Sequence, residues 1–301
     1  MGASIVTDKL TKRYGRGDAL ALDGLTLQVQ AGEIYGYLGA NGAGKSTTIR
    51  LLLNFLQPSG GSAHINGFDV VKDAVEVKKH VGYLAGDVAL YPKVTGGELL
   101  DYLGALQGMA NPDYRRTLEK RFEAETGKQV SALSKGNRQK IGIVQAFMHQ
   151  PNVLVLDEPT AGLDPLMQEA FYETVREARD RGAAVLMSSH NLAEAQRVCD
   201  RVGIIKHGKL IREQAVAGDG ELGKTIFRVL LTTPSAIARL KKAPHLKFLS
   251  QEGGNTALVQ ADGTVAEALK TLSQFDIREI STQALNLEDE FMEFYETGDD
   301  V

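Results

Sequence analysis

Between residues 39 and 47 the chain reads Gly39-Ala40-Asn41-Gly42-Ala43-Gly44-Lys45-Ser46-Thr47, which fits the pattern G-x-x-x-x-G-K-S/T. Glycines at that spacing let successive backbone N–H groups curl around a phosphate. Lys45 then reaches β and γ oxygens, and the Ser46 hydroxyl is a hard oxygen ligand for Mg²⁺. The residues that follow, TTIRLLLNFL, suit a helix whose positive N-terminal end adds to the anion site. A second candidate lies in VLVLDE, where four apolar residues end in Asp157-Glu158. An Asp at the C-terminal edge of a buried strand is placed to hold Mg²⁺ through water. Glu158 beside it is placed to orient or deprotonate an attacking water. Each motif alone has a plainer reading, a glycine-rich turn or a helix-capping carboxylate. Together they describe the chemistry of a bound triphosphate attacked by water.

Positioning these groups takes buried strands with helices between them, and the first 215 residues alternate in that way. SIVTDKL, LTLQVQ and IYGYLG read as strands, SAHINGFDV as a hairpin, KDAVEVKKH as a short helix and VGYLA as a further strand. The PSGG at 58–61 stops the helix that follows the glycine-rich loop. From residue 95 to 150 the pattern is mostly helical with a break at MANPD, which predicts a helical subdomain at about 88–148. NVLVLD and AAVLMSS are continuous apolar runs, the mark of parallel strands buried on both faces. QEAFYETVREARDRG between them is an amphipathic helix ended by Gly182. The order predicts an α/β domain over residues 1–215, its parallel sheet covered on both sides.

Past residues 218–223 the texture changes, and 216–301 is expected to be a second, accessory α+β domain. TIFRVLLT is strand-like, and Thr233 is placed to cap a helix begun by Pro234. LKFLSQ and TALVQA flank a GGN turn, Thr264 and Glu267 make a capping box for VAEALKTLSQF, and IREISTQ is a last strand. That is β-α-β-β-α-β, a ferredoxin-like order. A final helix is predicted at NLEDEFMEFYE. Residues 216–301 hold 8 basic and 14 acidic side chains, and residues 288–300 hold seven acidic and no basic ones, which reads as a solvated face and tail.

Composition narrows the classes. The 301 residues include 34 Lys+Arg against 38 Asp+Glu, 43% hydrophobic and 24% charged, which excludes a disordered or collagen-like chain. A single cysteine, Cys199, excludes an internal disulfide or a Cys metal cluster and reads as a small helix residue facing the core. No apolar run approaches the ~18 residues that span a bilayer, and the first residues lack a signal-peptide layout, so a cytoplasmic location is expected. The net charge of −4 and the lack of a basic stripe count against a nucleic-acid partner. No N-K-x-D is present, which counts against a guanine-specific site.

Four further segments carry a family resemblance. Leu133-Ser134-Lys135-Gly136-Asn137 resembles the LSGGQ signature of the ATP-binding-cassette (ABC) ATPases, which are P-loop NTPases. Gly162-Leu163-Asp164-Pro165 resembles their D-loop. His190 follows AAVLMSS where that family keeps its switch histidine, and Tyr14 in LTKRYG stands where an aromatic stacks on adenine. The likeness runs over about residues 4–213 in the family's motif order. It implies a P-loop cassette with a mixed sheet and a helical subdomain, using ATP and Mg²⁺. It also implies a head-to-tail dimer, of two copies or with a related cassette, docked on an integral membrane permease at the cytoplasmic face of the membrane.

By that resemblance Glu158, His190 and Lys45 act in hydrolysis, and Ser46 and Asp157 hold the metal. Nucleotide contacts fall to Tyr14, to Gly39, Asn41, Gly42, Ala43, Gly44, Lys45, Ser46 and Thr47 in the loop, and to Asp164. Ser134 and Gly136 would meet the γ-phosphate held by the neighbouring subunit. The SKGN form of the signature is similar to the ABC-2-type branch, which exports drugs and polymers. Ala40 replaces a usual proline. Where the family has a glutamine or glutamate after a strand, this chain reads Gly82-Tyr83-Leu84-Ala85-Gly86-Asp87, so that position has no side chain. The alternatives are a cassette ATPase acting on nucleic acid or ribosomes, which usually has two cassettes or a coiled-coil insert, and a nucleotide switch without turnover.

Overall fold

A computed structural model describes residues 2–15, 20–88, 90–109, 112–216 and 225–283. The chain opens with three strands, β1 (Ala3–Arg13), β2 (Leu20–Gln30) and β3 (Ile34–Leu38), before helix α1 (Lys45–Leu52). A hairpin of β4 (Gly60–Ile65) and β5 (Phe68–Asp69), helix α2 (Ala74–His80) and strand β6 (Val81–Leu84) follow. Three helices come next, α3 (Gly96–Leu106), α4 (Asp113–Arg121) and α5 (Lys135–Phe147). Then β7 (Val153–Asp157), α6 (Pro165–Asp180), β8 (Ala184–Ser189) and α7 (Leu192–Val198) lead to the pair β9 (Arg201–Lys206) and β10 (Lys209–Ala215).

Strand pairing sorts these elements into two sheets, in the orders β2-β1-β4-β5 and β10-β9-β3-β8-β7-β6. The second sheet is parallel except for β10, so it is mixed, and the α/β expectation holds. The first two strands do not join it. Their sheet is antiparallel, and in β2 buried and exposed residues alternate, the pattern of a sheet with one covered face. β3, β7 and β8 are buried at every position. Ile5, Leu25, Leu27 and Val29 of the first sheet share one core with Tyr35, Tyr37, Val155 and Leu186 of the second and with Ile49 of α1. Between these, β3 turns Gly36 toward Ala195 and Cys199. Cys199 is extended and stands just past α7 rather than in a helix; burial pushes its thiol up, which keeps it protonated.

Helix ends follow local chemistry. Thr95 and Glu98 form a capping box on α3, while Ser134, Asp164 and Asn191 cap α5, α6 and α7 with side-chain oxygens. α1 stops at Leu52, short of its expected end at Leu56. Asn54 adopts a left-handed φ of 54°, and the N–H groups of Phe55 and Leu56 fold back onto the Arg50 carbonyl.

The chain divides into two compact units, Met1–Val216 and Ala217–Val301. The second contains β11 (Ile226–Leu231), α8 (Ala236–Leu240), β12 (Leu246–Glu252), β13 (Thr256–Ala261), α9 (Val265–Leu272) and β14 (Ile277–Gln283). Its antiparallel sheet has the order β12-β13-β11-β14, the ferredoxin-like arrangement. The capping box of Thr264 and Glu267 is formed. α8 starts later than expected, at Ala236, because Thr233 and Pro234 make a turn whose carbonyls accept from Ala236 and Ile237. The final helix expected at NLEDEFMEFYE and the acidic tail lie outside the described residues. Among the described residues, no helix is long and apolar enough to cross a membrane.

Candidate functional site

The C-terminal ends of β3 and β7 open onto a cavity of about 360 Å³. The loop after β3 forms one wall through Ala40, Asn41, Gly42 and Gly44, and α1 presents Lys45, Ser46 and Thr47. Asp157 and Glu158 form the facing wall. No side chain caps α1, so the first-turn N–H groups remain available to an anion. Gly44 has φ 118°, and a Cβ on it would stand 2.8 Å from the Ala21 carbonyl oxygen. Only glycine lets the loop lie that close.

Charge converges within the cavity. Buried Lys45 donates through Nζ to the Gly39 carbonyl at 2.6 Å and the Ala40 carbonyl at 3.2 Å, and stands 3.6 Å from Glu158 Oε1. Ser46 Oγ donates to Asp157 Oδ2 at 3.1 Å. On its other oxygen, Asp157 accepts from Ser188 Oγ at 2.5 Å, and Ser188 in turn accepts from the Glu158 N–H at 3.1 Å. Glu158 holds a left-handed φ of 46°, a strained conformation for a long side chain. Its Oε2 lies 2.7 Å from His190 Nδ1. Burial and the Asp157 charge push the Tyr83 hydroxyl up, which keeps it neutral.

The family model for the ABC transporter matches residues 22–161 of this chain. The ABC transporter ATP-binding protein NatA of Bacillus subtilis (strain 168) is 37% identical over 202 residues, 65% of this chain and 82% of that protein. The daunorubicin resistance ATP-binding protein DrrA3 of Streptomyces coeruleorubidus is 34% identical, over 88% of this chain and 90% of that one. This chain belongs to the ABC transporter ATP-binding proteins. A solved structure of the ATP binding subunit of an ABC transporter is 31% identical, with a TM-score of 0.67 over 70% of this chain and 90% of that one. As a member of the drug-export branch of that family, the chain is an ATPase.

Within this ABC cassette the remaining residues of interest divide into those near the cavity and those elsewhere. Gly39 supplies the carbonyl that holds Lys45, and Ala43 is buried with its carbonyl accepting from Gly208. Tyr14 is half-exposed and does not line the cavity, but its hydroxyl is 3.5 Å from Thr47 Oγ1 and the Lys12 ammonium sits 5.5 Å from its ring centroid. Ser134, Gly136 and Asp164 are not brought to it. Ser134 Oγ accepts from the Asn137 N–H at 3.2 Å, and Asp164 Oδ1 from the Met167 N–H at 3.0 Å. Gly136 packs against the Gly162 carbonyl.

Sequence reasoning missed Ala21 and Arg50 in the cavity wall. Arg50 could have been found, because it stands four residues after Ser46 on the same helix face. Ser188, with its bonds to both acidic residues, had no signal beyond its place at the end of an apolar run. Gly86 and Asp87 both line the cavity. A Cβ on Gly86 would stand 3.3 Å from the Asp157 carbonyl oxygen, so the backbone there lies directly on the Asp157 residue.

Proposed function

We propose that this cassette is the ATP-hydrolysing subunit of an ABC-2-type exporter, paired with a second copy or a related cassette. It drives a separate integral membrane permease from the cytoplasmic face of the membrane. One observation carries the reading: Lys45, Ser46, Asp157 and Glu158 converge on one cavity, with Glu158 bonded to His190. The drug-resistance relative supports the export branch.

The residues fit a nucleotide with Mg²⁺. Ser46 Oγ and Asp157 Oδ2, 3.1 Å apart, are hard oxygens that would hold Mg²⁺. Among the described residues no cluster of three or more His, Cys, Asp or Glu competes as a metal cage. Held by these two residues, Mg²⁺ would supply positive charge against the β/γ-phosphates. The Lys45 ammonium exchanges its loop carbonyls for phosphate oxygens, and the loop N–H groups cradle the chain of phosphates. Water attacks the γ-phosphorus, the bond to the ADP oxygen breaks, and Glu158 takes the water's proton. His190 does not line the cavity, but its Nδ1 bonds Glu158 Oε2, which suits a role in holding that carboxylate in place. Tyr14 provides an adenine platform. Ser134 and Gly136 start α5 away from their own cavity, which suits a role at the neighbour's γ-phosphate, with Asp164 at the same interface.

The test is Glu158→Gln. Turnover is expected to fall at least a hundredfold, within the ~10²–10⁴ range for loss of a general base, while ATP binding persists and an ATP-locked dimer accumulates on size exclusion. Full turnover would remove Glu158 from the mechanism.

A further inference from the structure

Glu194 is one of the few buried carboxylates of this unit, 8% exposed, and it does not line the cavity. It stands in the first turn of α7, beyond the loop that carries His190. Its two oxygens accept from two different segments, the loop after β7 and the end of β8: Thr160 Oγ1 donates to Oε1 at 2.6 Å, and Ser189 Oγ donates to Oε2 at 2.7 Å. Thr160 lies two residues after Glu158, and Ser189 immediately precedes His190. The carboxylate therefore fastens together the two segments whose tips meet in the Glu158–His190 contact.

The surrounding bonds make the fastening directional. Ser189 Oγ has one proton and two acceptors in reach, Glu194 at 2.7 Å and the Asn191 carbonyl at 3.4 Å, while the Asn191 N–H donates to it at 3.0 Å. Asn191 in turn accepts from the Glu194 N–H, which fixes the start of α7. On the other side, the Thr160 carbonyl accepts from the Leu163 N–H, and buried Gln139 of α5 donates to the Pro159 carbonyl at 2.8 Å. Hydroxyl-to-carboxylate bonds of this length are charge-assisted and stronger than neutral ones. The strained φ at Glu158 persists only where neighbours over-determine it, and this network sits two residues away.

We infer that Glu194 is a positioning residue for hydrolysis: it clamps the loop after β7 to the end of β8, next to His190, and so sets the geometry between Glu158 and His190, without touching nucleotide. The inference rests on the proposed roles of that pair. It is tested in the full chain with Glu194→Gln, Thr160→Val, their double variant and Thr160→Ser, by steady-state ATPase rates, equilibrium binding of a fluorescent ATP analogue, and melting. Glu194→Gln keeps the shape of the side chain and loses an acceptor. It and Thr160→Val are each expected to lower kcat at least fivefold while analogue affinity stays within twofold. The double variant is expected to be no slower than the slower single, since both remove one bond, and Thr160→Ser, which keeps the hydroxyl, to restore most of the rate. A kcat for Glu194→Gln less than fivefold below the unsubstituted chain, or a parallel loss of affinity and kcat, would overturn the clamp. Glu158→Gln run beside them separates the two ideas. If it turns over, the reading of the site fails; if it is dead while Glu194→Gln is unaffected, only the clamp fails.

Discussion

In the first unit Lys45, Gln139, Asp157, Ser188, Ser189 and Glu194 are all buried, and each has a hydrogen-bond partner in a neighbouring strand or loop. In the second unit the buried polar residues among those described are Thr256 and Thr271, and the core is Phe227, Val229, Leu231, Leu240, Val259 and their aliphatic neighbours. Buried polar groups are costly unless paired, so a fold that gathers six of them near one set of strand ends is organised around chemistry there. Parallel strands allow this because their C-terminal ends all point the same way and feed loops into one place. The antiparallel sheet of the second unit sends successive strand ends to opposite edges, and its interior among the described residues is almost wholly apolar.

Ser134→Arg would break the first side of that comparison most severely. Hydrolysis is expected to be lost, with nucleotide affinity of the monomer kept, because Ser134 lies outside its own cavity. Mixing this variant with Lys45→Ala subunits leaves one intact composite site in each mixed dimer, and measurable recovery of phosphate release is the expected result. No recovery under conditions of subunit exchange would show that the sites do not form across a dimer, or that both must fire together.

Phe227→Ala probes the other side. Phe227 is 2% exposed in the core of the second unit, and truncating such a residue costs about 3–5 kcal/mol. For a domain of this size that lowers the midpoint by more than about 10 °C, readable by calorimetry, while ATPase rates measured below that transition stay within about twofold. A large loss of turnover would show that the units are not separate in function.

The smallest effect is expected at Asp87. It lines the cavity beside Gly86, where the family places a side chain. A third carboxylate acting next to Asp157 and Glu158 would add like-charge repulsion, so water is the better substitute for the missing side chain. Asp87→Ala is expected to change turnover of the isolated subunit by less than about threefold, under ~0.7 kcal/mol of barrier. A hundredfold loss in the folded protein would mean that Asp87 has taken over the position.

What the sequence determined by itself was local or periodic. The loop from Gly39 to Thr47 has its chemistry within nine consecutive residues, and the buried runs at β7 and β8 announced parallel strands without reference to their neighbours. The capping box at Thr264 likewise needs only four residues. Composition and spacing were silent on what lies across the sheet. β1 and β2 read as ordinary strands, and only the pairing of β1 with both β2 and β4 put them in a separate sheet. The bonds from Ser188 to Asp157, from His190 to Glu158 and from Glu194 to Thr160 join residues 31, 32 and 34 positions apart. They exist because β7 and β8 are parallel neighbours in a register that sets Asp157 opposite Ser188. Strand register is decided by the packing of whole faces rather than by any short motif.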